Sequence, residues 1–286
     1  MKSKGNRNSF WKTSAERFLH DWTAMTGLVL LVIIIGLCLA APLLTDQDPA
    51  KIDVSARYAS PSAEHILGTD RLGRDMFARL LYGGRETLKI TFSAMLLALV
   101  VGGAIGIAAG VFGKTADLLI LRVTDALAAI PMLLLSIVIE FLFGFGQGYF
   151  KYAVALSLMP PLVRLLRPLV RGVMQSEYAE AARALGVKRP EMVTRHVLPN
   201  VAAPVLIYAS NTAAEAMLAC TIMGYIGLGI NPPLPEWGQM VAQGYLTLTT
   251  SPHVILTPCI AVMLCVLSFN LVGNGLRDAL RAGRRG

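Results

Sequence analysis

Two carboxylates, Glu140 and Glu215, stand inside long apolar stretches of this sequence, far from any compensating charge. A carboxylate at bilayer depth costs about 2.5–3.5 kcal/mol on insertion scales, so such groups face a water-filled cavity or a partner helix. Both are therefore candidates for a translocation path. The other chemistry-bearing types are dispersed. The 4 cysteines, Cys38, Cys220, Cys259 and Cys265, all lie in apolar runs without paired spacing, which reads as small buried hydrophobes rather than a disulfide frame or a zinc site. The 4 histidines, His20, His65, His196 and His253, fall in separate segments, and no metal cluster or nucleophile–base–acid set can be assembled from them. Residues 108–115, AAGVFGKT, approach the phosphate-binding pattern G-x-x-x-x-G-K-[ST]. Ala108 replaces its first glycine, and an apolar helix rather than a strand precedes it, so neither ATP nor any other cofactor is assigned to this chain.

The densest polar chemistry lies in residues 176–200, SEYAEAARALGVKRPEMVTRHVLPN. Glu177 and Glu180 stand where a helix begins and its positive end favours negative charge, Arg183 stands near the other end, and Gly186 stands where the helix stops. Tyr178, Ala181, Ala182 and Leu185 form a narrow apolar ridge. Pro190 permits a new start and Pro199 introduces the next apolar run. This pattern predicts a helix–turn–helix with an apolar ridge and a charged rim, a shape suited to docking on another protein.

The elements around this island are apolar. With 55% hydrophobic and only 15% charged residues, the chain is far below the roughly 25% charge of soluble domains. The fold class expected is an all-α polytopic membrane protein of six transmembrane helices with one cytoplasmic coupling helix. The first span is Trp22–Leu44, about 35 Å long as a helix and enough for a ~30 Å hydrocarbon core. It is too long for a cleaved signal sequence. The others are residues 90–112, 118–143, a stretch from Tyr152 interrupted by Pro160-Pro161, residues 201–229 with an irregular end, and residues 254–276. Between the first two, Met76, Phe77, Leu80 and Leu81 predict a short amphipathic helix on the membrane surface. Gly102, Gly106 and Gly110 share one face of the second span, which suits close helix packing. Arg122 and Asp125 are expected to neutralise each other at the start of the third. The run 224–238, GYIGLGINPPLPEWG, is irregular at membrane depth and is a candidate gate, with Tyr225, Gly227 and Gly229 as its key positions. Residues 1–87 are read as a tail, first span and extracytoplasmic loop, and residues 88–286 as a five-helix core containing the coupling loop 176–200.

A net charge of +8 could suggest nucleic acid, but the positive residues cluster between spans. Placing the N-terminus in the cytoplasm puts most of the 26 Lys and Arg inside, which predicts cytoplasmic termini and a cytoplasmic 176–200 island. The partners implied are a lipid bilayer and proteins, not nucleic acid.

EYAEAARALG followed by RHVLPN resembles the coupling loop of ABC-type importer permeases. LGTDRLGRD at 67–75, RVTDALAAIP at 122–131, YIGLGINPPLPEWG at 225–238 and NLVGNGLRD at 270–278 are similar to the C-type subunits of dipeptide, oligopeptide and nickel permeases. The resemblance implies a type I importer permease in the inner membrane, not an enzyme itself. Its partners would be a second permease subunit, two cytoplasmic ATPases that bind ATP and magnesium, and an extracytoplasmic solute-binding protein. It implies peptide as substrate first and nickel or a metal chelate second. Pro160 stands where the family often has tryptophan, and Tyr225 where phenylalanine is usual. Two other classes fit the composition alone: a stand-alone secondary transporter or channel, and an intramembrane enzyme built on Glu140 and Glu215.

Overall fold

In the computed structural model, which describes residues 4–282, the chain is a bundle of helices joined by short irregular segments. The terminal charges Lys2, Arg284 and Arg285 lie outside the described residues. A polar helix α1 (Lys4–His20) leads into α2 (Trp22–Leu39), whose start is fixed by Asp21 accepting from Thr23 N and Ala24 N. The first span does not reach Leu44 as one helix: it breaks at Ala40, and α3 (Ala41–Leu44) restarts on Pro42. Small residues let α2 close on the last helix, α13 (His253–Ala282). A Cβ on Gly27 would lie 2.5 Å from the Leu271 Cβ.

The expected surface helix at 76–81 is instead the first turns of the second span. Helix α4 (Met76–Leu97), a π-helical turn at Ala98–Gly102, and α5 (Gly103–Val111) form a continuous helical run. Met76 and Leu81 are buried, because tertiary packing claims the apolar face that would otherwise rest on lipid headgroups. Residues 87 and 88, the proposed boundary, lie inside α4 with no break there. Asp75 caps the helix through Ala78 N at 2.7 Å, and His65 Nδ1 lies 2.9 Å from its other oxygen. Buried Arg74 donates to Asp70 (2.7 Å) and to Gln243 (3.1 Å), and Arg79 donates to the Pro49 carbonyl. These charge-assisted bonds pin the 46–75 loop onto the bundle.

The third span is an elbow. Helix α6 (Lys114–Ala129) and α7 (Met132–Phe143) meet at 91° across Ile130 and Pro131. Proline supplies no donor and disfavours helix in the residue before it, so Ile130 is extended and the helix restarts after the turn. Asp125 does not pair with Arg122. It takes Arg164 Nη2 at 2.7 Å, because a neighbouring helix presents a better-placed guanidinium.

Proline does not interrupt the fourth span. Helix α8 (Phe150–Met174) runs through Pro160, Pro161 and Pro168, and it is the most buried of the spans. Surrounding helices hold the proline-weakened turns in place, and Tyr208 Oη donates to the Leu158 carbonyl beside them. Gly102, Gly106 and Gly110 all face α8: a Cβ on them would come within 3.2 Å of Met159, 3.0 Å of Leu166 and 2.6 Å of Val170.

The 176–200 island holds α9 (Glu177–Ala184) and α10 (Arg189–Met192). From α10 the chain continues without a break, through a π-helical turn, into α11 (Leu198–Tyr225). The fifth span therefore starts before Pro199, which lies in the first turn of α11. After an irregular segment come α12 (Trp237–Tyr245) and α13. Among the described residues, five helical runs are long and apolar enough to cross a membrane, and counting the α6–α7 elbow makes six.

Candidate functional site

The island is anchored from one side and bare on the other. Ala179, wholly buried, and Ala182, partly buried, sit at i and i+3 and drop into an apolar cluster with Val170 and Met174 of α8, Met192 of α10 and Val201 of α11. The helix ends in a Schellman turn. Gly186 N donates to Arg183 O (2.9 Å) and Val187 N to Ala182 O (3.1 Å), with Gly186 at φ +86°. Val187 folds back onto the same cluster. The residues left outside are Glu177, Tyr178, Glu180, Ala181, Arg183, Leu185 and Gly186, all exposed. Tyr178 is 45% exposed and leans on the His196 ring, and Leu185 is 86% exposed. The apolar ridge therefore differs from the sequence expectation: Ala182 faces inward, while Tyr178, Ala181 and Leu185 form the outward edge. Ala179, Val187 and Met192 were missed as anchors, although Ala179 stands three residues before Ala182, the spacing of one helix face.

The second candidate region is built differently. Helix α11 also ends in a Schellman turn, with Gly227 at φ +89°, Gly227 N to Gly224 O at 3.2 Å and Leu228 N to Met223 O at 2.9 Å. Beyond it the chain turns back into the bundle around Glu236, which is 1% exposed. Glu236 accepts from Gly238 N (2.7 Å), Gln239 N (2.9 Å) and Thr87 Oγ1 (3.3 Å). Gly224 and Gly229 leave room for its carboxylate: a Cβ on Gly224 would collide with Oε2, and one on Gly229 would lie 3.0 Å from it. Trp237 N donates to Thr87 Oγ1 (3.0 Å) and its indole to the Leu80 carbonyl (2.8 Å), which ties α12 to α4. Burial pushes the Glu236 carboxyl up to about 6, opposed by these donors. Glu236 and Trp237 were not singled out from sequence. Their signal is a carboxylate immediately before a helical run, where the positive helix end favours negative charge.

Glu140 belongs to this second region. It is 0% exposed and accepts from Gly146 N (3.1 Å) and Phe150 N (2.7 Å), so it closes the α7–α8 loop. That loop pairs with the 225–238 segment through Asn231 N to Gly146 O at 3.0 Å. Glu215 is elsewhere. It is exposed halfway along α11, in line with exposed Leu218, Ile222 and Tyr225. The structure thus joins the Glu140 loop to the 225–238 segment through Gly146 and Asn231, and places buried Glu140 and exposed Glu215 in different surroundings, so the two carboxylates do not form a pair.

Residues 102–286 match the profile of the family described as "Binding-protein-dependent transport system inner membrane component", and residues 9–61 match that of the "N-terminal TM domain of oligopeptide transport permease C". The chain belongs to this transport family. Among its relatives, the dipeptide transport system permease protein DppC of Alkalihalophilus pseudofirmus is 37% identical, over 94% of this chain and 89% of that one. The glutathione transport system permease protein GsiD of Pectobacterium atrosepticum is 33% identical, over 94% and 90%. The MetNI methionine ABC transporter in an inward-facing conformation aligns with TM-score 0.59 at 19% identity, covering 73% of this chain and 97% of that one. That likeness establishes the type I importer permease fold. The chain is thus a multi-pass inner-membrane permease subunit of an ABC importer.

Proposed function

We propose that this permease passes peptides from an extracytoplasmic binding protein to the cytoplasm, beside a second permease subunit. In this reading two cytoplasmic ATPases bind ATP and magnesium and dock on α9, and both termini are cytoplasmic. The observation that carries it is the bare outer face of α9: Tyr178 and Leu185 stand exposed on a helix anchored from the other side by Ala179 and Ala182. A short rigid knob of this kind moves the helices beneath it when a partner pulls on it. Clustering of Lys and Arg on the same side supports the orientation.

The path in this reading runs along α11. Glu215, Leu218, Ile222 and Tyr225 recur at three- and four-residue steps and are exposed together. A carboxylate in mid-span requires water or protein opposite it, which favours a cavity shared with the second permease. Relatives named for dipeptide and glutathione transport favour peptide over nickel. The test is uptake by the complete complex in proteoliposomes. ATP- and binding-protein-dependent uptake of a dipeptide is expected. Uptake without ATP, or uptake of nickel ions alone, would overturn the reading.

A further inference from the structure

The elbow α6–α7 is attached to the bundle in an unusual way. None of the apolar side chains described in α6 is buried; its buried residues are Asp117 and Thr124. Its hold on α8 is electrostatic. Arg164, Arg167 and Arg171 occupy one face of α8 at i, i+3 and i+7. Asp117, 5% exposed, receives Arg167 through Nε and through Nη2 at 2.7 Å, and Arg171 through Nη2 at 2.8 Å. Asp125 receives Arg164 at 2.7 Å. The rungs match in antiparallel register: Asp117 to Asp125 spans about 12 Å of helix, and Arg164 to Arg171 about 10.5 Å.

The ends of the elbow are equally distinctive. Gly113 precedes α6 at φ +91° and Gly144 follows α7 at φ +111°, and around each a Cβ would meet nothing within 4 Å. Glycine adopts this left-handed backbone without strain at both points; the α7 end is held two residues further on, where Gly146 meets Glu140 and Asn231. By contrast α5 and the π-helical turn before it, on another face of α8, are locked by Gly102, Gly106 and Gly110, and the cytoplasmic end of α8 shares an apolar cluster with Ala179 of α9. Helix α8 thus carries a fixed partner on one side, one held by ion pairs on the other, and the docking knob at its end.

We propose that Asp117, clamped by Arg167 and Arg171, is a positioning residue that transmits movement of α9 and α8 to the α6–α7 elbow. The two-pronged, charge-assisted contact fixes α6 directionally on α8 while the described apolar side chains of α6 stay unburied, so a shift of α8 is passed to α6 through these bonds. This role rests on the coupling function proposed for α9.

The test uses the complete complex in proteoliposomes and reads ATP hydrolysed per peptide taken up. With Asp117→Asn, the ATPases are expected to stay bound and hydrolysis to remain, while that ratio rises roughly tenfold. The triple variant Asp117→Arg, Arg167→Asp and Arg171→Gln reverses the pair without leaving two arginines in contact, and is expected to bring the ratio back to that of Arg171→Gln alone. Arg171→Gln, which leaves the two-pronged Arg167 contact, is expected to raise it about threefold, and it serves should Asp117→Asn fail to assemble. An unchanged ratio in an assembled Asp117→Asn or Arg171→Gln complex would overturn the proposal, as would failure of the charge swap to restore coupling. A failure of the underlying reading looks different: the unmodified complex would then show no ATP-dependent uptake.

Discussion

Helices α9 and α11 end in the same turn, with Gly186 at +86° and Gly227 at +89° and a pair of backbone bonds closing each. From there the two segments diverge. After Gly186 the chain stays at the surface, where Leu185 projects. After Gly227 it passes through exposed residues 231–234 into a buried knot in which Glu236 caps α12, Thr87 bridges α4, and glycines make room for the carboxylate. The same local rule thus serves two ends. Where one helix face is left bare, residues are free for a partner; where the carboxylate is ringed by donors, the residues hold the bundle together.

The comparison breaks most sharply at Glu236. Glu236→Ala leaves the N–H groups of Gly238 and Gln239 without their acceptor, at about 1–3 kcal/mol for each buried group. The variant is expected to lose several kcal/mol of stability and most of the detergent-stable protein, read as thermal melting of the purified chain. Glu236 also gives a pH signature. Its carboxyl is raised from 4.5 to about 6, so between these values the folded state holds more protons than the unfolded state. Its contribution to stability is therefore full below pH 4.5, is lost as pH rises through about 6, and then levels off, a span of about 2 kcal/mol. Glu236→Gln is expected to remove that slope from the difference between variant and parent melting curves.

At the other turn the expected effects on the fold are smaller and those on partnership larger. Gly186→Leu forces a side chain into left-handed backbone at about 1–2 kcal/mol, leaving a folded chain. ATPase co-purification and transport are expected to fall well beyond what the lost stability explains. Tyr178→Ala is expected to change melting by no more than about 0.5 kcal/mol, yet to weaken ATPase binding by about 1–2 kcal/mol in a titration. If Tyr178→Ala destabilised the chain as much as Glu236→Ala, the distinction between the two turns would be lost.

Much of this is legible in the residues. Six stretches poor in charge mark the spans because burial in lipid tolerates little else, and Glu177, Glu180 and Gly186 mark the ends of α9. The departures share a cause: local rules are decided by distant neighbours. Pro160 and Pro161 do not stop α8 because other helices surround it, whereas Pro131 does mark a bend. Met76 carries a surface-helix pattern, but it joins a buried cluster with Trp237 and Met240 of α12 and Val254 of α13. Arg122 sits at helical spacing from Asp125, yet Arg164, thirty-nine residues along the chain from Asp125, takes it. Glu140 stands out as a lone carboxylate in an apolar run, and only the fold brings it Gly146 N and Phe150 N.

The outer face of α9 is the most direct place to test the docking role. Leu185→Cys places a thiol at a position that is 86% exposed, in a chain whose own cysteines are replaced by alanine. Labelling by a water-soluble maleimide, measured on the permease pair with and without its ATPases, decides the matter. Rapid labelling alone and strong protection in the complete complex is the predicted result; equal labelling in both would contradict the assignment of α9 as the docking surface.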